Sequence, residues 1–230
     1  MQELKYRNEY KHVINKNHAI VLKSRLKALL KSDPFADENG GYFIRSLYFD
    51  TYDDKALGEK FDGLPFRNKY RIRFYNYDES KIKLENKIKS YNSAAKLFCG
   101  MTKEEVYFIL AREYDFLKKS DEPLKRTFYQ ELAAGALVPK TIVDYIRTPF
   151  IYPHGNVRIT IDSDIRSPVG QIGVDIFNPN IPTVSVFPDE KCVLEIKYDD
   201  FIPDFIHKII QVEVTATTAI SKYAFCRRFV

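Results

Sequence analysis

Apolar and charged residues alternate over several stretches of this chain. The alternation predicts strands, because residues two apart share a face of a strand. Leu4–Ile14 and Tyr42–Phe49 read this way, and Arg67–Tyr77 and Lys81–Lys89 form a hairpin through Asp78-Glu79-Ser80. Ala95–Cys99 is a strand or a loop. Lys140–Phe150 and Asn156–Asp162 pair through Pro153-His154-Gly155, and Cys192–Tyr198 is a further strand. Helical spacing appears between them. One helix runs from a cap at Asn15 or Asn17 to about Lys31, with Ile20, Leu22, Leu26, Leu29 and Leu30 near one side. A short charged helix follows Thr51. Thr102 and Glu105 form a capping box that opens a helix to about Lys119, and Pro123 starts another that ends near Gly135. Ser167–Asp189 is irregular, with short strands at Val174–Phe177 and Thr183–Phe187, and Pro203–Gln211 and Ser221–Phe229 are short helices. Helices between antiparallel strand pairs give an α+β class, and no linker marks a boundary, so residues 1–230 read as one domain.

The polar faces of these strands are unusual. Arg7, Glu9 and Lys11 share a face, as do Arg71 and Arg73. Lys81, Lys83, Glu85, Lys87 and Lys89 form a row against Ile82, Leu84 and Ile88. Arg158 lies with Thr160 and Asp162, and Glu195 with Lys197. A single strand of this kind is ordinarily half solvated. The set differs because Arg and Lys predominate over isolated acids. If the sheet curls closed with its apolar face under the helices, the charged face lines an interior. Cations about 6 Å apart then repel by roughly 3 kcal/mol per pair at an effective dielectric near 20. Interleaved carboxylates, water or a polyanion must offset that cost.

Composition narrows the chemistry. The chain has 16 Tyr and 17 Phe but 9 Gly, and neither a dinucleotide nor a P-loop glycine motif is present. Its net charge of +5 is too small by itself to name a partner. Nucleic-acid binding ranks last, since aromatics such as Phe74 and Tyr198 fall on the faces opposite the cations. Cys99, Cys192 and Cys226 suit neither a disulfide framework nor a zinc site. The four histidines show no metal-binding spacing and read as surface or packing residues. With no secretory leader or apolar span in the 230 residues, the default compartment is the cytoplasm.

Eight short segments recur in a recognisable order. They are Arg7-x-Glu9-x-Lys11, Ser46-Leu47-Tyr48-Phe49-Asp50-Thr51, Tyr70-Arg71-Ile72-Arg73, Leu84-Glu85-Asn86-Lys87, Tyr145-Ile146-Arg147-Thr148-Pro149-Phe150, Val157-Arg158-Ile159-Thr160-Ile161-Asp162, Leu194-Glu195-Ile196-Lys197-Tyr198 and Ser221-Lys222-Tyr223. Each alone is weak. Together they resemble the VTC (vacuolar transporter chaperone) domain, the polyphosphate polymerase branch of the triphosphate tunnel metalloenzymes, over nearly the whole chain.

The resemblance implies a closed antiparallel β-barrel with helices outside and a basic tunnel that holds a phosphate chain. By motif position its cations are Lys11, Arg71, Arg73, Lys87, Arg147, Arg158 and Lys222, with Arg7, Arg45, Lys96, Lys197 and Ser221 as further substrate contacts. Glu195 matches a carboxylate that holds Mn²⁺ or Mg²⁺. Glu85 either joins it or neutralises nearby lysines. The implied reaction passes the γ-phosphate of ATP to a polyphosphate chain. Triphosphate hydrolases and class IV adenylate cyclases of the superfamily carry Glu-x-Glu-x-Lys on the first strand. Arg7 replaces the first of those acids here and favours the polymerase branch. A metal-dependent triphosphatase and a non-catalytic polyphosphate- or nucleotide-binding module are the alternatives. Eukaryotic relatives join this domain to membrane spans, which leaves room for a separate membrane partner.

Overall fold

In the computed structural model of the protein, residues 4–38, 40–91, 93–169, 175–187, 189–211 and 220–229 are described. Among these residues, ten strands and seven α-helices carry the fold. The strands are β1 (Arg7–Ile14), β2 (Lys31–Ser32), β3 (Tyr42–Asp50), β4 (Phe66–Tyr75), β5 (Ile82–Ser90), β6 (Ser93–Met101), β7 (Val138–Tyr152), β8 (Val157–Pro168), β9 (Thr183–Ser185) and β10 (Cys192–Tyr198). The helices are α1 (Lys16–Leu29), α2 (Lys55–Phe61), α3 (Lys103–Leu110), α4 (Asp115–Lys118), α5 (Pro123–Ala133), α6 (Asp204–Ile210) and α7 (Lys222–Cys226). All strands belong to one sheet of order β2-β7-β3-β4-β5-β6-β1-β10-β8-β9, and β7 also pairs with β8. Eight strands are therefore hydrogen-bonded in an antiparallel ring. Its closure is uneven: β1 shares seven residue pairs with β10 but two with β6, Arg7 with Ala94 and Asn8 with Ser93.

Strand alternation sends one side chain in two outward, where helices cover the apolar ones. Ile72, Phe74, Leu84 and Cys99 pack under α3, α4 and α5 with Val106, Leu117 and Phe128. Ile159, Ile161, Leu194 and Ile196 pack under α1 and α6 with Leu22, Leu26 and Ile206. Each fully buried side chain of this size contributes about 1.5–3 kcal/mol. A third cluster, including Val13, Ile44, Val143, Tyr145, Val193 and Tyr223, fills part of the ring's interior and brings in α7.

Local signals explain most boundaries. Asn15 caps α1 by accepting from the His18 amide, and both halves of the Thr102–Glu105 capping box are made. α1 buries Ala19, Leu22 and Leu26, whereas Ile20 and Leu29 face solvent, so its buried stripe is narrower than the apolar pattern implies. The single helix expected from Thr102 to Lys119 is two. Arg112 takes a left-handed φ of 64°, and the Glu113 and Arg112 amides close back on the Phe108 and Ile109 carbonyls, a glycine-type ending built on arginine. Gly155 turns β7 into β8 at φ 71°, where an added Cβ would meet the Phe201 carbonyl at 2.7 Å. Of the expected strand at Val174–Phe177, Val174 lies outside the described residues and residues 175–177 form a loop and turn; β9 ends at Ser185 instead of Phe187. Cys99, Cys192 and Cys226 are free and buried. Among the described residues, no helix is long and apolar enough to cross a membrane.

Candidate functional site

The inward-pointing residues of the ring surround a cavity of about 400 Å³, lined by fifteen Lys and Arg side chains and by two carboxylates, Glu9 and Glu195. The alternation expected from the sequence thus converges on one space. Lys11, Arg71, Arg73, Lys87, Lys96, Arg147, Arg158, Lys197, Lys222, Arg7 and Ser221 all line it.

Most of these cations are held by four carboxylates with buried side chains, Glu85, Glu9, Asp162 and Glu195. Glu85, on β5, accepts from Arg71 Nε at 2.6 Å and Lys96 Nζ at 2.7 Å, with Arg73 Nη1 3.9 Å away. Burial raises the Glu85 pKa, but Arg71, Arg73 and Lys96 outweigh it and hold the carboxyl well below its usual range. Glu9, on β1, accepts from Lys87 at 2.8 and 2.7 Å and from Lys11, and Lys197 lies 3.9 Å away. Asp162, on β8, accepts a bidentate pair from Arg147 at 2.7 and 2.8 Å, and Lys222 Nζ is 2.5 Å away. Glu195, on β10, lies 2.9 Å from Lys197 Nζ and 3.4 Å from Arg147 Nη2. Burial opposes its ionisation, but Lys197, Lys11, Arg147 and Lys222 keep the Glu195 pKa well below normal. Arg158 bridges Asp33 and the Tyr42 hydroxyl at 2.8 and 2.9 Å.

Tyrosines aim the guanidinium groups. Arg71 Nη1 donates to Tyr48 Oη at 2.9 Å, and Arg73 reaches Ser46 Oγ at 2.8 Å and Tyr145 Oη at 3.0 Å. The Tyr145 ring has Arg73, Arg147 and Lys222 at 5.9, 5.4 and 5.0 Å from its centroid. Tyr48 and Tyr145 lie in the recognised segments, two residues from Ser46 and Arg147, so strand parity could have found them. The same parity places Arg67 and Lys69 beside Arg71 and Arg73. Lys60 reaches the cavity from α2, and no strand pattern announces it.

Arg45 does not join them. Its β3 position has the parity of Leu47 and Phe49, so it points out of the ring and is 1% exposed. Its guanidinium is satisfied by Asp144 at 2.9 and 2.7 Å and by the Ile176 and Asn178 carbonyls, a structural role in place of the expected substrate contact. Ser221 lines the cavity while its Oγ accepts from the Ala224 amide as the cap of α7. Arg7 is turned to Asp199 Oδ1 at 2.8 Å.

Among the described residues, no group of three or more His, Cys, Asp and Glu is placed to hold a metal ion by itself. Glu195 and Glu9 are the carboxylates that face the cavity. Both oxygens of Glu85 are engaged by cations, which fits neutralisation better than metal binding.

A ring of antiparallel strands around an interior lined by cations has the charge to hold a compact polyanion. The VTC domain family matches residues 6–230, and the chain belongs to that family. Two solved structures share the fold. A candidate adenylate cyclase from Bacillus halodurans superposes with a TM-score of 0.54 at 14% identity, covering 91% of this chain and 88% of that one. A candidate adenylyl cyclase from Hippeastrum, described as having a dominant triphosphatase activity, gives 0.52 at 14% identity over 90% and 84%. No curated protein matches the chain.

Proposed function

We propose that the protein is a polyphosphate polymerase-like phosphotransferase that adds the γ-phosphate of ATP to a polyphosphate chain in the ring's interior. The observation that carries this reading is the lining: fifteen cations against two carboxylates in a cavity of about 400 Å³. Glu85, Asp162 and Asp33 behind the wall offset part of that charge, and the surplus is costly when empty and suits a linear polyanion. Membership of the VTC family supports a phosphate chain as that polyanion.

In this reaction the terminal oxygen of the chain attacks the γ-phosphorus in line. The bond from that phosphorus to the β–γ bridging oxygen breaks, and ADP leaves. No protein nucleophile is required, so the residues act by positioning and by charge. Arg71, Arg73 and Arg147, already aimed by Tyr48, Tyr145 and Asp162, offer forked donors to phosphoryl oxygens. Lys11, Lys87 and Lys222 add point charge, and Arg158 and Lys96 extend it along the wall.

Mn²⁺ or Mg²⁺ belongs to the proposal. A lone pair of cavity carboxylates fits a hard cation that takes most of its oxygens from phosphates and water. Glu195, whose contacts to Lys197 and Arg147 are the longer ones at 2.9 and 3.4 Å, would hold the ion, and the ion would neutralise charge on the phosphoryl oxygens.

A metal-dependent triphosphatase is the second reading. The activity described for the Hippeastrum protein favours it, and water can replace the acceptor in the same cavity. Incubation with ATP and Mn²⁺, followed by size separation of the products, decides between them. Long phosphate polymers are expected. Free phosphate alone would establish the hydrolase, and triphosphate binding without turnover would leave a binding module.

A further inference from the structure

The cations of the cavity fall into two populations. Those near Glu9, Glu85, Asp162 and Glu195 are paired with carboxylates. A second group, Lys60, Arg67, Lys69 and Lys89, has no carboxylate within ion-pair distance among the described residues. Arg67 leans on the Glu59 and Lys60 carbonyls at 3.5 and 3.4 Å, and Lys69 lies 4.7 Å from the centroid of the Tyr223 ring.

We propose that Lys60, Arg67, Lys69 and Lys89 form a separate subsite for the non-reacting phosphates of a chain longer than triphosphate. The inference rests on the polyphosphate reading and adds where the remainder of the chain lies. Two observations carry it.

First, like charges stand directly opposite one another in the ladder. Arg67 pairs with Lys89, and Lys69 pairs with Lys87, which in turn pairs with Lys96. Opposed like charges destabilise a sheet, and exposed lysines could relieve the strain by swinging into solvent. Here they remain on the cavity wall, joined by Lys60 from α2. Burial and the charges of Arg67, Lys69, Lys11 and Lys89 push Lys60 down to about 8, and burial with Arg67 and Lys11 does the same to Lys69. Asp50 and Glu59 near Lys69, and Glu9 near Lys89, offset part of this repulsion without pairing, and phosphate oxygens would supply the rest.

Second, the two populations are centred on different parts of the interior, with Lys69 reaching between them through its contact with Tyr223. Asp162, Arg147 and Lys222 adjoin the apolar cluster of Val13, Val193, Tyr145 and Tyr223, which fills one part of the ring. Arg67 and Lys89 share a ladder level with Ala94 and Arg7, at the β1–β6 closure. A divalent ion is favoured where Glu195 and Glu9 stand and is repelled by a group of bare cations. Reacting phosphates therefore belong at the carboxylate-bearing end, and the rest of the chain at the other.

The test compares sodium tripolyphosphate with a long-chain polyphosphate fraction, each titrated calorimetrically into the wild type and into Lys60→Gln/Lys89→Gln. Both positions are half-buried, and removing two mutually repelling charges should leave the unliganded melting temperature unchanged or higher, so misfolding is visible. The wild type should bind the long chain more tightly than tripolyphosphate. The variant should lose about tenfold or more for the long chain, the scale of two lost charge-assisted contacts, and stay within about twofold for tripolyphosphate. Restoring charge with Lys60→Arg/Lys89→Arg should recover the preference. Equal losses for both ligands, or an undiminished long-chain affinity, would overturn the subsite while leaving the polyphosphate reading intact. A wild type that prefers neither length also overturns the subsite and favours the triphosphatase. Binding of neither ligand would defeat the functional reading itself, and the subsite with it.

Discussion

Arg147 and Asp162 face each other across the β7–β8 ladder, and the guanidinium grips both carboxylate oxygens at 2.7 and 2.8 Å. Asp162 also holds Lys222 of α7, so one fully buried acid organises two cavity cations from different elements. Removing it leaves Lys222 without its acid and Arg147 with only the longer contact to Glu195 at 3.4 Å. Asp162→Asn should cost about 3–5 kcal/mol of stability, the usual penalty for breaking a buried pair. Triphosphate should restore more melting temperature to this variant than to the wild type, because it replaces the lost negative charge. Thermal unfolding with and without ligand reads both effects, and a wild-type-like melting curve would contradict the assignment.

Arg71 and Arg73 present forked donors from one face of β4. Arg71→Ala combined with Arg73→Ala should abolish the rise in melting temperature that triphosphate produces in the wild type. An undiminished shift would remove these residues from the binding site.

Arg45 makes the contrasting case. Arg45→Met strands Asp144 in the interior and should cost about 3–5 kcal/mol, while the triphosphate-induced shift stays as in the wild type. A lost shift would mean that Arg45 matters to the cavity from outside the ring.

Glu195→Gln separates binding from turnover. The change removes a cavity carboxylate among Lys197, Lys11, Arg147 and Lys222, so triphosphate should bind as well or better. Metal-dependent product formation should fall on the order of a hundredfold, as for loss of one electrostatic contact to a reacting group. Parallel calorimetry and product analysis across Mn²⁺ concentrations check the pair of outcomes.

Lys60 and Lys69, both pushed down to about 8, set a pH window. Unfolded lysines keep their protons to about 10.4, so between those values the unfolded chain binds more protons. The contribution of these two groups to unliganded stability therefore rises with pH across that window. Their attraction for phosphate falls over the same range as they lose charge. The stabilisation produced by long-chain polyphosphate should shrink between about pH 8 and pH 10. A constant increment across that range would contradict it.

Much of the cavity is legible before any coordinates, because strand parity is a strict geometric rule. Arg71 with Arg73, and Glu195 with Lys197, come inward as their spacing requires. Arg45 shows the same rule from the other side: it alternates with Ser46, and Ser46 meets Arg73. Motif position suggested a substrate contact, whereas parity assigns it to the outer face. Arg67 and Lys69 obey the rule as well, but the recognised segment begins at Tyr70 and omits them. Lys60 is beyond such reasoning, since where a short helix docks depends on tertiary contacts. The break at Arg112 is equally silent, with no glycine or proline to mark it.

The unequal division of charge has a consequence for the outside of the molecule. A chain of net +5 whose cavity wall holds thirteen more cations than carboxylates must carry a net charge of −8 over all its remaining residues. Part of that charge lies in the buried acids Glu85, Asp162, Asp33 and Asp50 behind the wall, and the rest leaves a weakly acidic exterior around a basic hollow. On the polyphosphate reading, a thin phosphate chain that reaches the opening would meet the reverse field, where bulkier polyanions could not follow it. Discrimination among polyanions then begins with their cross-section, before any side chain touches them.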